Sequence, residues 1–154
     1  MTDLLQDDEY DRRFAGVGKI YGEENFNHYE KSHVMVIGIG GVGSWAVEAL
    51  ARSGIGELTL VDMDVVAASN INRQLPAMST TLGHEKIEVM AERCRQINPR
   101  IKINLIDDYL TPENVAEILE PCPDIILDCI DDVKAKLALM LHCRFNKIPL
   151  IVSG

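Results

Sequence analysis

Six consecutive residues, Gly38-Ile39-Gly40-Gly41-Val42-Gly43, match the spacing G-x-G-x-x-G. The first glycine of such a string permits a tight turn and the second lets backbone approach a phosphate. The third lets a helix close onto a strand. A helix that starts there directs free N–H groups and partial positive charge at the anion. Asp62 follows 19 residues after Gly43, where an acid accepts hydrogen bonds from ribose hydroxyls. Further on, Asn70, Asn72 and Arg73 share one irregular stretch, and Lys86 lies beyond it. Fixed cations beside a phosphate cradle suit a triphosphate, whose charge must be neutralised during phosphoryl or nucleotidyl transfer. Arg73 taken alone reads first as a solvated surface charge. The run Asp128-Cys129-Ile130-Asp131-Asp132 offers carboxylates for Mg²⁺, which binds one or two of them plus waters and phosphate oxygens. Asp132 is divided between that role and capping the next helix. Asp131, nearer the preceding apolar run, is the preferred metal ligand.

These residues need elements to hold them. Val34 to Ile37 is an uninterrupted apolar run that stops at Gly38, the pattern of a strand buried on both faces. Val42, Trp45, Ala46, Ala49 and Leu50 fall on one helical face, and Gly54 and Gly56 end that helix. Leu58 to Val61 is a second strand ending at Asp62. Met63 to Gly83 has no sustained period, and such a stretch in a compact domain is usually functional. A helix is predicted over 84–97, stopped by Asn98-Pro99. Ile101, Ile103 and Leu105 alternate as a third strand. Thr111-Pro112 starts a helix that runs to about Leu119. Ile125 to Leu127 is a fourth strand, 132–145 a helix, and 149–152 a fifth strand. Strict alternation of strands and helices predicts an α/β, doubly wound, mainly parallel sheet with helices on both faces. Such sheets bind ligands at the C-terminal ends of their strands, where the glycine turn, Asp62 and Asp131 all fall. Ser153-Gly154 comes straight after a strand, so a longer protein is expected, with this chain as its N-terminal part.

The 154 residues carry 15 basic and 24 acidic side chains, a formal charge of −9, which argues against holding a nucleic acid over the whole surface. No run of eighteen apolar residues is present. Cys94, Cys122, Cys129 and Cys143 form no C-x-x-C pair, so they read as reduced, cytoplasmic, mostly packed thiols rather than zinc ligands. His28, His33, His84 and His142 have no spacing that suggests a metal site or acid–base pair.

Five ordered segments carry a resemblance: the glycine turn, Val61-Asp62-Met63-Asp64, Ser69-Asn70-Ile71-Asn72-Arg73-Gln74, Gly83-His84-Glu85-Lys86 and Asp128-Cys129-Ile130-Asp131. Together they resemble the ubiquitin-activating-enzyme-like adenylating family, over nearly the whole chain. The resemblance implies a Rossmann-like ATP-binding adenylation domain over residues 31–154, cut short at its C-terminal end, preceded by a helical arm over 1–30. It implies a nucleotide site built from Gly38, Gly40, Gly41, Gly43, Asp62, Asn70, Arg73 and Lys86. In it Gly40 and Gly41 pack on the phosphates, Asp62 holds ribose, Arg73 and Lys86 grip the triphosphate, and Asp131 carries Mg²⁺. Arg73, Lys86 and Asp131 are the implied catalytic residues.

A narrower likeness lies in Ile20-Tyr21-Gly22-Glu23-Glu24, in the segment from Gly43 to Gly56, and in Asn146-Lys147-Ile148-Pro149-Leu150-Ile151. These look like the tRNA threonylcarbamoyladenosine dehydratases, which use ATP to cyclise a carboxylate-bearing modification on a tRNA adenosine. That likeness implies a homodimer acting on modified tRNA and linked to a cysteine desulfurase system. One departure is clear. Many family members carry Arg-aromatic-x-Arg near the N-terminus, the second Arg reaching ATP across the dimer; here the string is Arg13-Phe14-Ala15-Gly16. Arg13 or Lys19 is the available substitute. The alternatives to a dehydratase are activation of the C-terminal glycine of a sulfur-carrier protein, an NAD-binding domain, and a non-catalytic scaffold.

Overall fold

A computed structural model describes residues 2–153. Two helices come first, α1 (Thr2–Tyr21) and α2 (Glu23–Tyr29). Then follow β1 (His33–Ile37), α3 (Gly43–Arg52), β2 (Glu57–Val61), α4 (Lys86–Ile97), β3 (Lys102–Ile106), α5 (Val115–Ile118), β4 (Ile125–Asp128), α6 (Val133–Asn146) and β5 (Leu150–Val152). The five strands are parallel, in the order β3-β2-β1-β4-β5. The order reverses at β1, and sheets of this kind take ligands at such a switch point.

Alternation along β1 divides the core in two. Val34 and Val36 face α3 and α4, packing with Val47, Ala51, Met90 and Cys94. Met35 and Ile37 face the other way, toward α5 and α6, with Ile118, Ile126 and Leu139. Side chains on successive strand residues point to opposite faces, so one apolar run supplies both layers. The predicted face of α4 is buried as its period requires: Ile87, Met90, Ala91 and Cys94 are inside. Gly54 adopts φ +81°, and a Cβ there would meet Phe26 Cε2 at 2.7 Å, so this position ends α3 and admits α2.

The first helix packs against this layer through Tyr10 and Phe14, both buried. Its Arg13 donates Nη1 to the carbonyls of Gln96 and Ile97, at 2.9 and 3.1 Å. That places a cation on the negative end of α4.

One element departs from the pattern. Residues 111–114 are not helical, and α5 is a single turn from Val115. Asn114 Oδ1 accepts the Thr111 N–H at 2.7 Å while its Nδ2 donates to Tyr109 O at 2.9 Å. These local bonds hold the segment as a turn and compete with helix.

The irregular stretch after β2 is closed at its neck. Val66 N–H donates to His84 O at 2.8 Å, Gly83 N–H to Val66 O at 2.9 Å, and Val65 bridges Glu85. Within it Ala68–Asn70 forms a 3-10 turn. A stretch tied at both ends can carry side chains to a fixed place beside the sheet.

Candidate functional site

The four glycines of the turn do different work. Gly38 has φ +89°, and a Cβ on it would lie 2.8 Å from Cys129 O. A Cβ on Gly43 would lie 1.8 Å from Gly38 O. Both are required by packing of the turn on itself and on the β4 end. Gly40 and Gly41 are open: the nearest atoms to an added Cβ are Gln74 Nε2 at 3.9 Å and Arg73 Cγ and Cδ at 3.6 Å. A methyl group fits the protein there but would fill the space beside the backbone.

The backbone donors of the turn point the same way. Ile39 N–H is taken by Asp62 Oδ2 at 2.6 Å, and Ser44 N–H by Gly40 O at 3.1 Å. Between them, the N–H groups of Gly40, Gly41, Val42 and Gly43 meet no acceptor among the described residues. Consecutive free N–H groups at a helix start form a ready anion site. The turn therefore fits a phosphate on observation as well as on spacing.

Asp62 is buried at the end of β2. Its Oδ2 takes Ile39 N–H and its Oδ1 takes Asp64 N–H at 2.8 Å. It is first a brace between the glycine turn and the strand end, with lone pairs left over for a hydroxyl donor. Arg73 is exposed, its stem over Gly41 and its Nη1 on Ser69 O and Asn72 Oδ1, both at 3.0 Å. Trp45 Nε1 donates to Arg73 O at 3.0 Å, which ties the segment to α3. Asn70 Oδ1 accepts Ala67 N–H at 2.9 Å, closing the 3-10 turn that carries Arg73.

Lys86 is only 4 % exposed, and its Nζ lies 2.7 Å from Asp64 Oδ2. Asp64 also accepts from the Tyr109 hydroxyl. The Lys86 bond, then the Tyr109 bond, hold the Asp64 carboxyl below its ordinary range.

At the end of β4, Asp128 is fully buried. Its Oδ2 pairs with Lys136 Nζ at 2.8 Å and its Oδ1 accepts Ile130 N–H at 3.0 Å. Lys136 Nζ also donates to Ser153 O at 2.8 Å. Asp132 accepts Ala135 N–H at 2.7 Å and is the N-cap of α6, which settles its role as a cap. Asp131 is exposed and its carboxylate meets no partner among the described residues. No cluster of three His, Cys, Asp or Glu occurs among them, so the donor set fits Mg²⁺ only as one carboxylate completed by phosphate and water. Burial, and then Asp128, push the Cys129 thiol up, as befits a packed thiol rather than a nucleophile.

Three contributors escape a sequence reading. Ser44 is buried, donating Oγ to Gly40 O at 2.6 Å and accepting Leu75 N–H at 3.2 Å. Gln74 is buried beside Gly40, and its Oε1 has no hydrogen-bond partner. Lys136 is the third. It stands on α6 at a position whose own sequence gives no sign of Asp128 eight residues earlier or of Ser153 seventeen later, and the place of Gln74 is set by how the irregular stretch folds against Gly40.

A parallel sheet with its order reversing at β1, a glycine turn with free N–H groups and an acid at the end of β2 define a doubly wound α/β domain of Rossmann-like form. Residues 10–154 match the ThiF family, and the chain belongs to it. The chain is 51 % identical to the tRNA threonylcarbamoyladenosine dehydratase of Haemophilus influenzae, over all 154 residues here and 59 % of that protein. It is 40 % identical to the molybdopterin-synthase adenylyltransferase of the same organism, over 82 % of this chain and 53 % of that one. The solved E. coli tRNA N6-threonylcarbamoyladenosine dehydratase in complex with ATP superposes with a TM-score of 0.94 at 49 % identity. That match covers 96 % of this chain and 60 % of the other. The chain thus spans a little over half the length of these relatives.

Proposed function

We propose that the protein binds ATP at the glycine turn and adenylates a carboxylate, and that its substrate is the N6-threonylcarbamoyladenosine of tRNA, which it dehydrates to a cyclic form. The observation that carries the reading is the row of unpaired N–H groups from Gly40 to Gly43 with Arg73 lying over Gly41. Similarity supports the substrate: the Haemophilus influenzae and Escherichia coli dehydratases are 51 and 49 % identical to the chain, against 40 % for the Haemophilus influenzae molybdopterin-synthase adenylyltransferase.

In this reading the phosphates lie on Gly40 and Gly41, and Asp62 accepts from ribose. The substrate carboxylate attacks the α-phosphorus and pyrophosphate leaves, giving an acyl-adenylate. An atom of the same threonylcarbamoyl group then attacks the activated carbonyl. AMP departs with one carboxylate oxygen, so the ring closes with net loss of water. No protein nucleophile is needed. The chain's residues orient reactants and stabilise phosphate charge. Arg73 and Lys86 serve that end, Asn70 holds the turn from which Arg73 reaches, and Gly38 and Gly43 keep the cradle in shape. Asp131 would hold Mg²⁺, which when bound neutralises phosphate charge. The same reading makes residues 31–154 the adenylation domain and 1–30 an arm. It has the protein act in the cytoplasm as a homodimer, together with a cysteine desulfurase system.

Thermal stabilisation tests nucleotide choice. A ligand at a hundred times its Kd stabilises by about 2.7 kcal/mol. ATP with Mg²⁺ is expected to raise the melting temperature and NAD to leave it unchanged. The opposite result would establish an NAD-binding domain. The second reading, activation of a carrier protein's C-terminal glycine, rests on the likeness to molybdopterin-synthase adenylyltransferase.

A further inference from the structure

Lys86 does not stand free at the proposed phosphate site. Its side chain is 5 % exposed and its ammonium is held 2.7 Å from Asp64 Oδ2, while Asp64 itself is 47 % exposed. The backbone repeats the tie, with Lys86 N–H donating to Asp64 O at 3.0 Å. The other carboxylate oxygen, Oδ1, accepts from the Tyr109 hydroxyl. Tyr109 lies between β3 and α5, on a segment fixed by Asn114 Nδ2 on its carbonyl at 2.9 Å. Asp64 N–H in turn donates to Asp62 Oδ1, and Asp62 Oδ2 takes Ile39 N–H. An unbroken chain of hydrogen bonds runs from Tyr109 through Asp64 to Lys86, and from Asp64 through Asp62 to the glycine turn.

We infer that Tyr109 is a positioning residue: by occupying Asp64 Oδ1 it fixes that carboxylate, and so fixes the ammonium of Lys86 for the triphosphate. The inference rests on the reading of the glycine turn as an ATP site. The physical reason is pre-organisation. An ammonium has three donors, and Asp64 uses one, leaving two for phosphate oxygens. Lysine is a flexible point charge on a four-carbon stem, and its value at a developing charge depends on being held in place. An exposed carboxylate with one partner can rotate, whereas one bonded through both oxygens cannot without breaking a bond. Tyr109 touches Lys86 nowhere and acts only through Asp64.

A double-mutant cycle isolates that indirect action. ATP–Mg²⁺ affinity is measured by calorimetry on the protein at its natural length, for wild type, Tyr109→Phe, Lys86→Met and the double variant, each checked by thermal melting. Tyr109→Phe keeps the half-exposed ring and removes only the hydroxyl, so it should melt like wild type. Loss of one hydrogen bond in the relay is expected to weaken ATP binding about fivefold. In the Lys86→Met background the same change should have no effect, since there is no ammonium left to position. Asp64→Asn is the second probe. It should weaken ATP binding at least as much as Tyr109→Phe, and adding Tyr109→Phe to it should cost little more. An unchanged affinity in Tyr109→Phe overturns the inference while leaving the ATP site standing. A fivefold loss that persists beside Lys86→Met overturns it too, by making Tyr109 act independently of Lys86. Failure of the wild type to bind ATP overturns the site reading itself.

Discussion

The stem of Arg73 lies over Gly41, with Cγ and Cδ 3.6 Å from where a Cβ on that glycine would stand. Ordinary contact at that distance means the protein tolerates alanine, while a ligand on the backbone would not. Gly41→Ala is therefore expected to melt within about 2 °C of wild type and to lose ATP affinity more than about tenfold, because a methyl group occupies the phosphate's approach. Calorimetry with parallel melting measures both.

Gly43 sets the contrast. Its added Cβ would stand 1.8 Å from Gly38 O, a backbone atom that cannot step aside. Gly43→Ala should lose at least about 3 kcal/mol or fail to fold. Urea unfolding checks it, and a wild-type midpoint would contradict the packing described.

The Arg73 side chain is exposed and bonded only within its own segment, through Ser69 O and Asn72 Oδ1. Arg73→Ala should leave stability unchanged while lowering ATP–pyrophosphate exchange by about 10²–10³, the range seen when one pre-organised charge partner is removed. Undiminished exchange would remove Arg73 from the site.

Glu48 joins two arginines, Arg93 at 2.5 Å and Arg52 at 2.8 Å. The Arg93 bond, aided by Arg52 and opposed by burial, holds its carboxyl below the ordinary value of 4.5. A depressed folded pKa gives stability that is present above the unfolded value and lost as pH falls through the folded one. Glu48→Gln should cost about 1–2 kcal/mol at pH 7, discounted because both arginines are partly hydrated. The gap to wild type should close as pH falls below the ordinary value of 4.5 and through the depressed folded one. Melting temperatures across pH 3–7 read the difference directly.

Asp128 is fully buried against Lys136. Removing one partner of such a pair strands a charge. Asp128→Asn should cost about 2–4 kcal/mol, and adding Lys136→Met should recover part of it because no unpaired ammonium remains. Denaturant unfolding of the three proteins tests the pair.

The strands, α4 and α6 were legible because their signals are local, whereas α3 was legible as a helix but not in its face: Val42 and Trp45 are exposed, and Val47 and Ala51 are the residues buried against the sheet. Val34 to Ile37 is apolar without a break, and Ile87, Met90, Ala91 and Cys94 recur at helical spacing. The glycine turn was legible because Gly38 has a positive φ and Gly43 is packed on Gly38 O five residues earlier, although Gly38 also packs on the distant Cys129 carbonyl. Position 111 misled, since Thr-Pro-Glu resembles a helix start while Asn114 bonds backward into a turn. The partners of the charged residues were hidden for a different reason. Lys86 meets an aspartate 22 positions earlier, and Asp64 meets a tyrosine 45 positions later. Such pairs are created by the order of strands and carry no local pattern. Gln74 was visible only as a member of a motif; its burial and its unpartnered Oε1 belong to the way the segment after β2 folds against Gly40.

The central claim, ATP-driven cyclisation of a carboxylate on tRNA, is tested by AMP release. The protein at its natural length is incubated with ATP–Mg²⁺ and tRNA bearing N6-threonylcarbamoyladenosine, then separately with a sulfur-carrier protein. AMP is quantified and the tRNA nucleosides are weighed by mass spectrometry. The account predicts AMP with the modified tRNA alone, matched mole for mole by a nucleoside lighter by one water. AMP formed only with the carrier protein, or a nucleoside of unchanged mass, would contradict it.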